Sequence, residues 1–107
     1  MSDQIYLVAG KRTPFGKFGG SLMDITPVDL AVACSKALLS EQKLSPDQID
    51  QVILGNVVPS TTDTMYGGRH LALKLGCPIE VAGIVINRLC GSGIEAILEA
   101  ARLIKLG

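Results

Sequence analysis

Excess charge of one sign, closely spaced cysteine pairs and long apolar runs are all missing from this sequence, and each absence removes a class of function. The 107 residues carry ten basic and ten acidic side chains, for a formal net charge of zero. No net field draws such a chain to nucleic acid or to anionic lipid, so a nucleic-acid role is excluded. No window approaches the roughly 18 apolar residues that a membrane span needs, and the opening MSDQIYLVAGKRTPFG has no basic stretch ahead of a long apolar one. The expectation is a cytoplasmic protein that does not enter a membrane. Cysteines number three, Cys34, Cys77 and Cys90, an odd count without CxxC spacing. That argues against a disulfide framework and against a structural zinc site, and no metal or other cofactor is expected. Internal repeats and low-complexity segments are also missing, and the length is that of a single domain.

What is present alternates. Residues 5 to 9, IYLVA, are continuously apolar and rich in β-formers, and they precede GKRTPFGKFGGS, which is dense in glycine. This predicts a buried strand followed by a long loop. Thr26 suits a helix N-cap, Pro27 its first turn, and Asp29 complements the helix dipole. Leu30, Ala33, Cys34, Ala37 and Leu38 then recur at helical spacing. Ser45, Pro46 and Gln48 repeat the capping pattern for a short turn, and QVILGNVV reads as an interior strand. A second helix is predicted over residues 62–75, although Gly67 and Gly68 within it together cost about 2 kcal/mol relative to alanine. Gly76 stops it, with Pro78 beyond. VAGIVIN is a third strand, and from Gly91 the residues Ile94, Ile97, Leu98, Ala101 and Leu103 or Ile104 form an apolar stripe closed by Gly107. Strands without polar faces, separated by helices, predict an α/β fold with a mostly parallel sheet. Three strands leave open edges, so residues 1–107 read as the front part of an N-terminal domain ending after the last helix, one that associates when expressed alone.

Cys90 falls where the third strand turns into the last helix, within INRLCGSGIEAI. There the unpaired N–H groups and the positive end of the helix dipole favour a thiolate over a thiol. Gly91 and Gly93 clear the approach of a carbonyl, and the N–H groups suit the oxyanion that attack creates. Ser92 is placed to support the turn with its hydroxyl. A free cysteine is also among the most buried residue types, and the local pattern leaves nucleophile and packed hydrophobe both open for Cys90. Cys34, in an apolar helical stripe, and Cys77, in a Gly-Cys-Pro turn, read as packing residues. Asn87 reads as a loop residue bonding neighbouring backbone, and Lys11, Arg12 and Lys17 as a solvated face, since GKFGGS is too short for a phosphate loop.

INRLCGSGIEAI resembles the acyl-enzyme signature of the thiolases, the acetyl-CoA acetyltransferase and 3-ketoacyl-CoA thiolase family. VAGKRTPFGKFGGSL is similar to the family's opening strand and loop, QVILGNVV to its second strand, and GGRHLALKLGCP to the helix and turn before the nucleophile strand. The blocks agree in order and spacing along the chain. The related ketoacyl synthases share the cysteine at a helix start, but KRTPFGKFGG fits the thiolases better. The resemblance implies a thiolase-like fold and makes Cys90 the residue that takes an acyl group from acyl-CoA as a thioester, with its own N–H helping to hold the oxyanion. Coenzyme A thioesters are then substrates, with acyl-CoA and coenzyme A as partners. Members of the family complete the reaction with two histidines and a second cysteine in later segments. His70, the single histidine here, matches neither and reads as a packed or solvent-facing imidazole.

The expected activity is therefore thiolytic cleavage of 3-ketoacyl-CoA, or the reverse Claisen condensation, in a homo-oligomer or beside a complementing remainder. Without a neighbouring base or second thiol, turnover by these residues alone is not expected. The competing reading is a non-catalytic piece that serves assembly.

Overall fold

The computed structural model describes residues 4–107. Its helices are α1 (Pro27–Glu41), α2 (Gly67–Leu75) and α3 (Ser92–Leu106), and its strands are β1 (Gln51–Gly55) and β2 (Ala82–Ile86). The strands pair in parallel, with Gln51 opposite Ala82 and Gly55 opposite Ile86. Because side chains alternate along a strand, Val52 and Leu54 point to the side of α1 and α2, while Ile53 points to α3. The result is a helix, sheet, helix sandwich of the α/β class. The sheet edge-on-edge is narrow, and its parallel direction puts both strand ends, Gly55 and Ile86, at one end of the molecule.

Local chemistry explains where α1 begins. Thr26 takes an extended conformation, and its Oγ1 accepts the Asp29 N–H at 3.1 Å, which satisfies a donor the helix cannot use itself. Ser45 and Gln48 form the expected short turn, with Gln48 Oε1 accepting the Ser45 N–H at 2.9 Å. Gly76 closes α2 in the left-handed region at φ 86°, and Gly107 sits at φ 97° after α3.

The core lies between α1, α2 and the sheet. Leu71, Ala72, Leu75, Cys77 and Val81 are buried together, with Ala31, Val32, Leu39, Val52 and Leu54 packed against them. Val28 is completely buried. These positions correct the predicted face of α1. Leu30, Ala33, Cys34, Ala37 and Leu38 are half-buried or exposed, while Val28, Ala31, Val32 and Leu39 face the core. The helix PVDLAVACSKALLSE is apolar on most sides, so helical spacing fits more than one face and only the packing of α2 selects among them.

Two further expectations are revised. Residues 5–9 form no strand: Tyr6, Leu7 and Val8 are each more than 70 % exposed, and among the described residues no ladder joins them to β1 or β2. Strand formation needs a paired edge as well as apolar β-formers. Here Lys11 pairs with Glu41 and so ties the end of this segment to the last turn of α1. The second helix starts later than residue 62, after a separate 3-10 turn at Thr64–Tyr66. Gly67 and Gly68 are its first residues, buried against the sheet, where their lack of side chains is what packing requires.

That requirement is sharpest at Gly68 and Gly83, which meet back to back. A Cβ on Gly83 would lie 2.3 Å from Gly68 C and Arg69 N, and one on Gly68 would lie 2.3 Å from Ile84 O. The helix backbone thus rests directly on the strand backbone. On the opposite face α3 is less fully covered. Ile97, Leu103 and Ile104 line a cleft of about 690 Å³ with Ile49 and Ile53, while Ile94 stays 65 % exposed.

Candidate functional site

Parallel strands deliver their following loops to one end of the sheet, where open α/β folds place their ligands. In this chain the two loops are Asn56 to Pro59 after β1 and Asn87 to Gly91 after β2. They enclose a small cleft of about 260 Å³, lined by Asn56, Val57, Thr64, Met65 and Asn87 among others. The Asn56 N–H donates to Ile86 O at 3.0 Å, and Asn87 Nδ2 donates to Val57 O at 3.2 Å, so the loops are stitched together.

Cys90 lies on the second loop, exposed and unbonded to any other cysteine, directly before the helix start at Gly91 and Ser92. Its backbone setting is unusual. Leu89, immediately before it, has φ 49°, left-handed for a residue with a side chain. The Leu89 N–H donates to Asn87 Oδ1 at 3.0 Å, and its carbonyl accepts both the Ser92 N–H at 3.0 Å and the Ser92 hydroxyl at 2.6 Å. Ser92 Oγ also accepts the Arg88 N–H at 2.8 Å, and Ser92 is only 4 % exposed. The support expected of Ser92 is therefore present, and Asn87 bonds backbone as expected. The Gly91 and Ser92 N–H groups are committed to the carbonyls of Arg88 and Leu89.

Neither glycine after the cysteine is forced by its φ, and a Cβ at Gly93 would meet nothing within 4 Å. A Cβ at Gly91 would be in ordinary contact with Arg88 O at 3.4 Å. The glycine that positions the site was not apparent in the sequence: it is Gly55, at the end of β1. A Cβ there would stand 2.5 Å from Ser92 O, so α3 begins in direct contact with the strand. Asn56, which follows it and lines the cleft, was likewise missed. A glycine closing an apolar strand is the one signal that pointed to this end of the sheet.

Charged groups gather beyond the turn. Glu95, in the first turn of α3, accepts from Arg88 at 2.9 Å and from Arg102 at 2.7 Å, and Arg102 also reaches Glu99 at 3.1 Å. The hydrogen bond from Arg102 holds the Glu95 carboxyl below its usual range, with the positive charge of Arg102 and of Arg88 acting the same way. The other predicted groups stay apart. His70 Nδ1 lies 3.6 Å from Asp63 Oδ2 on the far side of α2's first turn, and among the described residues it has no hydrogen bond to Cys90. Cys77 is buried in the core as a packing residue should be, whereas Cys34 is half-buried on the face of α1 turned from the core. Lys11 is paired with Glu41, and Arg12 lies over the Phe15 ring at 5.0 Å, so these cations do not converge.

Cys90 is thus a free, exposed thiol on a tight turn at the carboxyl end of a parallel sheet, leading into a helix. A family model described as the thiolase N-terminal domain matches residues 5–107. The chain belongs to the thiolase family. Among curated thiolases, the human mitochondrial 3-ketoacyl-CoA thiolase is 47 % identical over 98 residues, covering 92 % of this chain and 25 % of the human protein. A beta-ketothiolase of Cupriavidus necator is 39 % identical over 107 residues, all of this chain and 27 % of its own length. Solved thiolase structures agree. The human mitochondrial 3-ketoacyl-CoA thiolase in complex with CoA superposes with a TM-score of 0.85 at 48 % identity, over 88 % of this chain and 24 % of that one. The Bacillus anthracis acetyl-CoA acetyltransferase superposes with a TM-score of 0.76 at 40 % identity, over 84 % and 23 %. This thiolase chain thus spans about a quarter of the length of the curated relatives it matches. Among its described residues no helix is long and apolar enough to cross a membrane.

Proposed function

We propose that this chain carries the acyl-accepting thiol of an acyl-CoA C-acyltransferase. Cys90 Sγ, as thiolate, attacks the thioester carbonyl of an acyl-CoA; the bond from carbon to the CoA sulfur breaks, and CoA leaves as its thiolate and takes up a proton. The acyl group remains on Cys90 as a thioester. In the degradative direction Cys90 Sγ instead attacks the C3 ketone of a 3-ketoacyl-CoA; the C2–C3 bond breaks, the acetyl-CoA carbanion leaves and takes up a proton, and the shortened acyl group on Cys90 passes to an incoming CoA thiol. In the synthetic direction a second acetyl-CoA, deprotonated at its α-carbon, attacks the Cys90 thioester carbonyl, and the Cys90 thiolate leaves as the carbon–carbon bond forms in a Claisen condensation. The observation that carries this reading is the exposed Cys90 on the turn between β2 and α3. The CoA-bound human relative lends it a substrate class.

Turnover needs a base for the thiol and a second acid–base group for the condensing acetyl-CoA. Among the described residues no base is hydrogen-bonded to Cys90, so acyl uptake without turnover is the expected behaviour of the chain by itself. We place it in the cytoplasm and in a homo-oligomer or beside a complementing thiolase remainder; the mitochondrial labels belong to the relatives. Incubation with acetyl-CoA followed by intact mass measurement should show one added acetyl group, located on Cys90 and abolished in Cys90→Ser. Acetylation spread over Cys34 and Cys77, or retained in Cys90→Ser, would refute the assignment.

A second reading, a non-catalytic piece that serves assembly, is favoured by the cleft between β1 and α3 and by the exposed Tyr6, Leu7 and Val8. It predicts self-association in sedimentation velocity together with no acetyl uptake. A monodisperse monomer that accepts acetate would remove it.

A further inference from the structure

We propose that Ser92 is a positioning residue for Cys90, acting by holding Leu89 in its left-handed conformation. The inference rests on Cys90 being the acyl-accepting thiol, but the experiment below uses no acyl-CoA.

Among the described residues only Leu89 and Lys43 are non-glycine residues with positive φ. Lys43 follows α1 and its N–H bonds to Ser40 O, an ordinary helix-end arrangement. Leu89 is different because side chains hold it on both sides. Asn87 Oδ1 takes its N–H at 3.0 Å, the Ser92 hydroxyl donates to its carbonyl at 2.6 Å, and the same hydroxyl accepts the preceding Arg88 N–H at 2.8 Å. The Leu89 side chain is 69 % exposed, so packing of that side chain does not impose the conformation. A strained φ persists only where its surroundings over-determine it. Ser92 is the buried member of this arrangement, and its backbone is fixed against Gly55.

The hydroxyl is not spent on the helix. The N-cap of α3 is Gly91, without a side-chain cap, and Ser92 Oγ turns back to Arg88 and Leu89 instead. Removing it leaves only Asn87 Oδ1 and the Ser92 N–H to hold Leu89, and so shifts population from the left-handed conformation toward negative φ. Relaxation rotates the next peptide and redirects the Cα–Cβ bond of Cys90, while α3 keeps its own hydrogen bonds.

The test is alkylation by iodoacetamide, in which the Cys90 thiolate displaces iodide and forms a thioether. Peptide mass mapping reads Cys90 and Cys34 in the same molecules. In Ser92→Ala, Cys90 should react about fivefold more slowly or worse, the population equivalent of the left-handed penalty for a residue with a side chain, with Cys34 unchanged. Adding Leu89→Gly, which removes that penalty, should restore the Cys90 rate to within about twofold. A Ser92→Ala chain whose Cys90 reacts at the parent rate, slowing shared equally by Cys34, or no recovery on adding Leu89→Gly would each overturn the proposal. If Ser92→Ala loses its far-ultraviolet circular dichroism, Leu89→Val with Ser92 intact decides. Slowing confined to Cys90 supports positioning through Leu89, and an unchanged rate overturns it. A failure of acetyl-CoA to acylate Cys90, by contrast, would refute the acyltransferase reading and leave this result standing.

Discussion

Alanine at Gly83 would place a Cβ 2.3 Å from Gly68 C and Arg69 N and 2.4 Å from Gly68 O. These are backbone atoms of α2, so no flexible side chain can move aside. Ordinary contact lies near 3.5 Å, and α2 and β2 must therefore separate by about 1 Å to admit a methyl group. The same helix carries Leu71, Ala72 and Leu75 into the core, and those contacts loosen together when it shifts. Overpacking in a close-packed interior typically costs about 1–3 kcal/mol, and a rigid backbone obstacle puts Gly83→Ala at about 3 kcal/mol or more. A chain of this length has a total stability of about 5–15 kcal/mol, so the loss is large. Gly93→Ala provides the contrast. Its Cβ meets nothing within 4 Å, and in α3 it gains up to about 1 kcal/mol of helix propensity. Urea unfolding followed by circular dichroism at 222 nm measures both. The midpoint should fall sharply for Gly83→Ala and hold or rise for Gly93→Ala. Equal midpoints for Gly83→Ala and the parent would refute the claim that α2 rests on the strand backbone.

Thr26→Ala removes the oxygen that accepts the Asp29 N–H at 3.1 Å, and should cost about 1 kcal/mol in the same assay, with Thr26→Ser close to the parent. Val28→Ala empties a fully buried site beside Gly67 and should cost about 1–3 kcal/mol, seen as a lowered thermal midpoint. The Asp29 carboxyl is held below its ordinary 3.8, chiefly by the hydrogen bond from Lys74 and then by that with Thr26. A lowered folded value means that its stabilisation is present above 3.8 and is lost as pH falls through the folded value. Asp29→Asn should therefore lower the thermal midpoint near neutrality, and its difference from the parent should shrink as the solution is acidified below that range. A difference that stays constant through the acid limb would contradict the Asp29–Lys74 pair as its source.

Legibility followed the range of the interactions. The start of α1 at Thr26, the Ser45–Gln48 turn, the Gly76 stop and the Gly107 cap all depend on neighbours a few residues away, and the sequence announced them. Cys90 was legible for the same reason, because a thiol between a β-branched run and an amphipathic helix identifies its own turn. What depended on distant partners was not. The core face of α1 is chosen by α2, which lies about 40 residues on, and residues 5–9 have strand composition but no paired edge. Gly67 and Gly68 counted as a helix penalty when read locally, yet the close approach to Ile84 and Gly83 makes them the residues that let α2 seat.

The same distinction explains the construction of the site. The thiol needs an exposed turn, but an exposed turn has few neighbours to fix it. The chain resolves this by building the turn from buried or backbone contacts on one side only. Gly55 brings the start of α3 against the end of β1, Ser92 carries that rigidity by its hydroxyl to Arg88 and Leu89, and Asn87 ties the loop to Val57 across the strand ends. Cys90 is then open to solvent while the residues on either side of it, Leu89 and Gly91, have their backbone groups hydrogen-bonded within the turn. A side chain so held loses its orientational entropy during folding rather than at an encounter, which under the acyl-transfer reading proposed above favours attack by Cys90. The residues that matter for this are small or polar and individually unremarkable in composition. Their effect comes from three sheet-end positions meeting in space, which explains why the sequence disclosed the turn at Cys90 more readily than its support.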